Sequence, residues 1–390
     1  MRPVRPDRGS MRRIQALDVL RGIAIMGTLG TNIWIFTSPG GPAELLGETT
    51  GAAESFLRFL ANGKFLGLLT LLFGVGLELQ YRSARRRGAR WPGWYLWRAA
   101  LLFAEGLLHY ILIFEFDVLM GYAVTSVIVA YLIGRSDRAV RGWMALMGGI
   151  HLALLTVGTA GLLAGGDVVP GGGQTTTLYS QGTWPEQVLS RLELFPIYRI
   201  ESVFIIPMGV FLFLLGARLT RAGVFEERGA RLRRRLMILG LGVALPVNLV
   251  TTFAGPGWFL VDRYLLPPLV SLGLLGLVTT LVARMRAEPG LLRRGLSNVG
   301  RTALSCYVLQ NLVASALCYG WGLGLAARFD ALRPWWVVGA WAGICLLFSV
   351  LASLWLRRFE RGPLELVWQW AYQAPRRTRE PEADRPVSVG

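Results

Sequence analysis

The sequence predicts an all-α fold, a polytopic transmembrane helical bundle of about ten membrane-spanning helices with both termini in the cytoplasm. Three observations carry that reading. Apolar runs near 20 residues recur along the 390-residue chain, each long enough to cross roughly 30 Å of hydrocarbon. The runs are continuous rather than alternating, which selects helices over a β-barrel, the other structure that satisfies its backbone in lipid. Charged residues make up 17% of the chain, against about a quarter in soluble domains, and their placement is uneven.

Taken in order, the spans fall at residues 14–36, 56–80, 95–114, 118–134, 142–165, 195–217, 236–254, 262–283, 299–323 and 335–356. With the amino terminus inside, the cytoplasmic segments hold 33 of the 41 lysines and arginines, and the outer segments hold five. That alternation across all ten spans is the positive-inside asymmetry. The net charge of +17 is therefore topogenic, with attraction to the anionic headgroups of membrane lipid; nucleic acid is not an expected partner. The first run lacks a small-residue cleavage site and reads as a retained helix.

Residues 1–13 form a basic cytoplasmic tail, 14–373 a single transmembrane domain, and 374–390, proline-rich and charged, a disordered cytoplasmic tail. The longest connection, 166–194, is rich in glycine and threonine and faces outside. Its length exceeds the usual 12–15 residues, which suits a cover over an outward-facing site. Cys306, Cys318 and Cys345 all fall in spans and read as small buried hydrophobes.

Ionisable residues at membrane depth cost about 2.5–3.5 kcal/mol at mid-helix and so face a protein interior or an aqueous cavity. On the first span Asp18, Arg21, Thr28 and Asn32 lie within an arc of about 80°. This stripe rises roughly 16 Å from Arg21 to Asn32. It reads either as an Asp18–Arg21 pair at i,i+3 with Asn32 joining a neighbouring helix, or as the wall of a passage for an anionic, phosphate-bearing ligand.

On the third span, His109 follows Glu105 by one turn, and Glu115 and Asp117 follow across a short outer turn. Histidine beside a carboxylate can serve as a general base near neutral pH. His151 has no such neighbours and reads as structural. Arg199 and Glu201 form an interfacial ion pair at the outer end of the sixth span, or serve the site. Gln310 and Asn311 on the ninth span join helices, or Gln310 donates to a developing oxyanion as Asn32 could. No metal-ligand cluster, phosphate-binding loop, dinucleotide fingerprint or nucleophile elbow is present; the sequence implies neither a metal nor a permanently bound cofactor.

"LDVLRGIAIMGTLGTNI", "GKFLGLLTLLFGVGLELQYRSAR", "WRAALLFAEGLLHYILIFEFDVLMGYAV", "PMGVFLFLLGARLTRAGVF", "NVGRTALSCYVLQNLVASALCYGWGLGLAARF" and "RFERGPLELVWQWAY" together resemble, in order and over nearly the whole chain, the YeiB-like family (domain of unknown function 418). That family in turn resembles the transmembrane acyltransferase superfamily, which includes the acyltransferase-three proteins and heparan-α-glucosaminide N-acetyltransferase. The resemblance implies an acyltransferase of the bacterial cytoplasmic membrane. It would move an acyl group, acetyl above all, from cytoplasmic acyl-CoA as co-substrate to a hydroxyl or amine of a lipid, glycan or small-molecule acceptor.

By the same resemblance Asp18, Arg21 and Gly22 match the shared opening motif, while His109, Asp117 and Asn32 match positions of the YeiB-like pattern. The catalytic set expected on this reading is His109 as base, Glu105 or Asp117 orienting it, and Asn32. Asp18, Arg21, Gly22, Arg301 and Gln310 would hold the acyl-CoA, with Arg82 a further partner for its phosphates. The lysosomal enzyme carries its catalytic histidine just after the first helix, and residues 33–56 here contain none. The alternative reading is a small-molecule transporter or exporter using the same intramembrane charges, although no internal repeat marks paired halves. The sequence leaves homo-oligomer formation open.

Overall fold

The computed structural model describes residues 8–42, 51–165, 177–285 and 289–377. Among them the chain is helical throughout, with no strand. The helices are α1 (Arg8–Phe36), α2 (Ala52–Ala61), α3 (Lys64–Arg86), α4 (Tyr95–Leu112), α5 (Leu119–Leu132), α6 (Asp137–Leu163), α7 (Trp184–Glu193), α8 (Phe195–Arg199) and α9 (Ser202–Arg221). They continue as α10 (Ala230–Met237), α11 (Leu245–Phe253), α12 (Phe259–Tyr264), α13 (Leu266–Arg284), α14 (Leu291–Arg301), α15 (Ala303–Cys318), α16 (Leu325–Arg328), α17 (Trp335–Trp355) and α18 (Pro363–Arg377).

Every predicted span carries a helix, and among the described residues seven helical stretches are long and apolar enough to cross a membrane: Gln15–Phe36, Ala52–Arg86, Asp137–Leu163, Phe195–Arg221, Glu227–Phe253, Pro256–Arg284 and Trp335–Trp355. Leu119–Leu132 and Ala303–Cys318 are shorter apolar helices. Several predicted spans are broken for local reasons. Gly63, at φ 68°, separates α2 from α3, and a Cβ there would lie 2.6 Å from the Arg263 carbonyl oxygen. Between α10 and α11 the backbone widens into a π-helical stretch, Ile238–Ala244. Pro246 follows in the first turn of α11, where its missing N–H would have broken a regular helix.

α1 is the hub of the bundle and packs against α3, α13, α14, α15 and α17. In its most apolar window 78% of residues are buried inside the protein, against 17% in α6, 22% in the α10–α11 stretch and 22% in α17. The last three are apolar yet uncovered, as helices facing lipid are; Val157, Val250 and Leu346 lie on their outer faces. Lipid supplies little hydrophobic drive between helices, so close packing of small residues sets the interior. A Cβ on Gly22 would lie 2.0 Å from the Leu296 carbonyl oxygen, and one on Gly300 would lie 1.8 Å from that of Asp18. α1 and α14 therefore cross backbone to backbone.

The end of the chain folds back on the bundle. Glu365 of α18 accepts the backbone N–H groups of Leu304 (2.8 Å) and Ser305 (3.3 Å), the open donors at the start of α15, and the Ser305 hydroxyl. In return the Leu364 N–H donates to Ser305 Oγ at 3.0 Å. The final helix thus runs to Arg377, beyond the predicted tail boundary at 374; residues 378–390 lie outside the described chain, as do 1–7 and 166–176 of the outer loop.

Candidate functional site

The site is built where α4 turns into α5. The Ile113 and Phe114 amides both close on the His109 carbonyl at 2.9 Å, ending α4. Three residues later Asp117 starts α5, its Oδ1 accepting the Leu119 (2.8 Å) and Met120 (3.2 Å) N–H groups as a helix cap. Its other oxygen, Oδ2, lies 2.8 Å from His109 Nδ1, with the two side chains 0% and 1% exposed. One carboxylate thus caps a helix and fixes an imidazole together. Gly106, one turn before His109, makes this approach feasible, since a Cβ there would meet Met120 N at 2.6 Å and Asp117 Oδ1 at 2.8 Å. That is the physical content of the Gly-Leu-Leu-His run at 106–109.

With Nδ1–H donated to Asp117, Nε2 is left as the acceptor nitrogen, a tautomer assigned from the network. It faces Asn311 of α15, whose Nδ2 lies 3.3 Å away. Asn311 Oδ1 in turn accepts from Asn32 Nδ2 of α1 at 3.3 Å. A buried chain Asn32–Asn311–His109–Asp117 therefore joins α1, α15, α4 and the start of α5. Tyr307, one turn before Asn311, sets its ring 5.1 Å from the imidazole, and Phe114 closes the other side at 6.4 Å.

From the side of α7 and α8 two arginines clasp the turn. Arg191 of α7 donates Nε to Glu115 Oε2 (3.3 Å) and Nη1 to the Ile111 carbonyl (3.1 Å). The Tyr179 hydroxyl donates to Glu115 Oε1 at 2.9 Å, and Tyr110 donates to the Arg191 carbonyl. Arg199 of α8 donates to the Asp117 carbonyl at 3.0 Å and to that of Glu115, and its guanidinium stacks 4.3 Å from the Tyr110 ring centre. α7, in the second half of the 166–194 connection, is thus a cover over the His109 end of the bundle.

The predicted residues separate into three places. His109 and Asp117 pair directly, and Asn32 reaches them through Asn311. Glu105 lies a turn below His109 but makes no bond to it; its Oε2 is buried without a partner, so of the two carboxylates it is Asp117 that holds the ring. Gln310 donates to the Ile25 carbonyl of α1 at 3.2 Å, facing away from His109. At the arginine-rich end, Asp18 and Arg21 pair at 3.3 Å and are 14% and 37% exposed. Arg301 there donates to the Glu360 carbonyl at 3.2 Å, and Gly22 occupies the α1–α14 crossing. Arg82 is held by Glu78 at 2.7 Å, a carboxylate also bound by Arg221 at 2.8 Å.

Arg199 and Glu201 do not pair with each other. Arg199 serves the Asp117 turn, while Glu201 accepts from Arg263 at 3.3 Å. His151 Nε2 lies 3.0 Å from the Tyr264 carbonyl oxygen, as a structural histidine does. Arg191, Tyr179 and the pairing role of Asn311 were missed. Asn311 was legible from its phase, one turn beyond Tyr307, while Arg191 sits in a polar loop where no periodicity points to a partner.

A lipid-facing helical bundle with an amide–imidazole–carboxylate chain closed in its interior defines a polytopic membrane protein with a polar centre. Residues 219–374 match the model of the family described as "Protein of unknown function (DUF418)". Along 92% of its length the chain is 26% identical to the uncharacterized protein YxaH of Bacillus subtilis (strain 168), covering 94% of it. The same share is 27% identical to the uncharacterized protein YeiB of Escherichia coli (strain K12), covering 96% of it. An uncharacterized 39.9 kDa protein encoded in the amylase 3′ region of Bacillus acidopullulyticus is 26% identical, with 93% covered. The YeiB-like resemblance read from the sequence holds over nearly the whole chain. No solved structure matches.

Proposed function

We propose that this chain is a bacterial cytoplasmic-membrane acyltransferase that moves an acyl group from acyl-CoA to a hydroxyl or amine acceptor. One observation carries the reading: a buried imidazole has Nδ1 fixed by Asp117 and Nε2 turned toward a pair of amides. That is the arrangement a general base needs, and positioned proton transfer contributes about 10²–10⁴-fold to a rate. The 3.3 Å amide contact at Nε2 is long enough for an acceptor to displace.

In the reaction, His109 Nε2 takes the proton of the acceptor as its oxygen or nitrogen bonds to the thioester carbonyl carbon. The carbonyl oxygen becomes an oxyanion within reach of the Asn311 and Asn32 amides, where one donor is worth about 2.7–4 kcal/mol. The C–S bond then breaks, and the imidazolium returns the proton to the departing thiolate. Arg21 and Arg301, at the arginine-rich end taken as cytoplasmic, meet the CoA phosphates. Glu105, with its unpaired oxygen midway, accepts a hydrogen bond from the incoming ligand.

The test is transfer from radiolabelled acetyl-CoA to lipid and glycan extracts in membranes carrying the wild type, His109→Ala or Arg21→Ala. His109→Ala is expected to lower labelling at least about 100-fold and Arg21→Ala to raise the acetyl-CoA concentration required. Full labelling by both variants would remove the proposal. Counterflow of solute in proteoliposomes without any acyl donor would replace it with transport.

A further inference from the structure

At the arginine-rich end of the bundle, well apart from Asp18 and Arg21 in sequence, a cleft of about 910 Å³ opens between the last turn of α3, the loop after it and the end of α5. Arg85, Arg90 and Arg135 line it, and no carboxylate does. All three are exposed, and none of their guanidinium groups has an ion-pair or hydrogen-bond partner among the described residues. The nearby acids are already engaged: Glu78 is shared by Arg82 and Arg221, and Asp137, two residues past Arg135, pairs with Arg218 at 3.3 Å. Complementing a helix C-terminus explains Arg85, in the last turn of α3, and would serve for Arg135 just past α5. It does not explain Arg90, which belongs to neither helix.

The walls are built independently of the arginines. The Trp91 indole donates to the Ala130 carbonyl at 2.8 Å and is held between Tyr81 and Tyr95, with ring centres 5.3 and 5.0 Å away. Gly88 and Gly93 turn the loop at φ 63° and 43°. Gly134 leaves room for Tyr81, whose hydroxyl would lie 3.1 Å from a Cβ there. A rigid aromatic floor under three unneutralised cations leaves open space that the side chains around it do not fill.

We propose that this cleft binds a phosphate-bearing organic anion. Guanidinium forks match phosphate oxygens two at a time, and the volume falls in the roughly 300–1,000 Å³ range of small-molecule sites, far above what inorganic phosphate needs. The ligand is either an anionic phospholipid headgroup, which basic pockets on one membrane face take up, or a soluble nucleotide-type phosphate. The site does not depend on acyl transfer.

The full-length chain in phosphatidylcholine nanodiscs separates the two sources. One arm measures retention of added cardiolipin by native mass spectrometry, the other binding of adenosine 3′,5′-bisphosphate by calorimetry. The wild type is expected to bind in one arm, naming the source, and Arg90→Gln/Arg135→Gln to weaken that binding about tenfold or more. Arg90→Lys/Arg135→Lys should recover part of it, and Arg357→Gln/Arg358→Gln, an exposed basic pair elsewhere, should leave it unchanged. The single Arg90→Gln, in the loop, gives the same reading if the double variant does not fold. Absence of binding in both arms, equal affinity of wild type and glutamine variants, or equal loss in the control pair would overturn the site.

Discussion

Asp117 carries two duties at once, because Oδ1 caps α5 while Oδ2 holds His109. Asp117→Asn would place an amide NH₂ against either a backbone N–H or the imidazole N–H, so one contact must be lost. If acyl transfer is the activity, this variant should cut the rate by about 10²–10⁴ through the wrong tautomer, while Asn311→Leu should reduce it less and leave the His109–Asp117 pair in place. A histidine NMR spectrum of both proteins would show whether the Nδ1 proton resonance survives in Asn311→Leu and disappears in Asp117→Asn. At this scale the sequence was informative where spacing along one helix or one turn sets a contact, as for His109 and Asp117. It was uninformative where contact depends on helix rotation: Gln310 and Asn311 are neighbours in the chain, and only the second points at the imidazole.

Among elements, the α1–α14 crossing is the least forgiving. Gly22→Ala would drive a Cβ to 2.0 Å from a backbone oxygen that cannot rotate away, costing about 1–3 kcal/mol or more. The expected result is a melting temperature several degrees lower in detergent, or no recoverable protein, where Gly339→Ala, with open space around its Cβ position, stays near the wild type. The α7 cover has its own control. Glu186, in the first turn of α7, accepts the Thr183 N–H (2.7 Å) and hydroxyl (2.9 Å), and these bonds hold its carboxyl below the usual glutamate range. A depressed folded value means that the cap is fully present above about pH 4.3, the ordinary glutamate value, and is lost as pH falls through the lower one. The protection factors of the α7 amides, taken relative to intrinsic exchange at each pH, should therefore fall on acidification, and Glu186→Gln should flatten that dependence. The helix breaks at Gly63 and Thr302 were not legible, because each answers to a partner distant in sequence: the Arg263 carbonyl against Gly63, and the Glu365 cap that starts α15 anew just after Thr302.

For the whole molecule, hydropathy revealed the helical membrane architecture because it follows from the solvent rather than from specific contacts, and arginine placement adds an expected sidedness. Lipid demands long apolar helices, and insertion sorts positive charge to one side. The expected sidedness puts Arg138, in the first turn of α6, and Asp330, near α16, in opposite aqueous phases. A membrane-impermeant maleimide applied to intact cells should label Asp330→Cys and spare Arg138→Cys, measured over the background of the three native cysteines; the reverse pattern would invert the topology. The clasp between Glu365 and the start of α15 carries a practical warning for genetics. Trimming the gene back to the last apolar span looks harmless on a hydropathy plot, yet it would uncap an interior helix that carries Asn311. A late stop codon near residue 360 should then behave as a null allele, with the damage appearing at the opposite leaflet from the deletion.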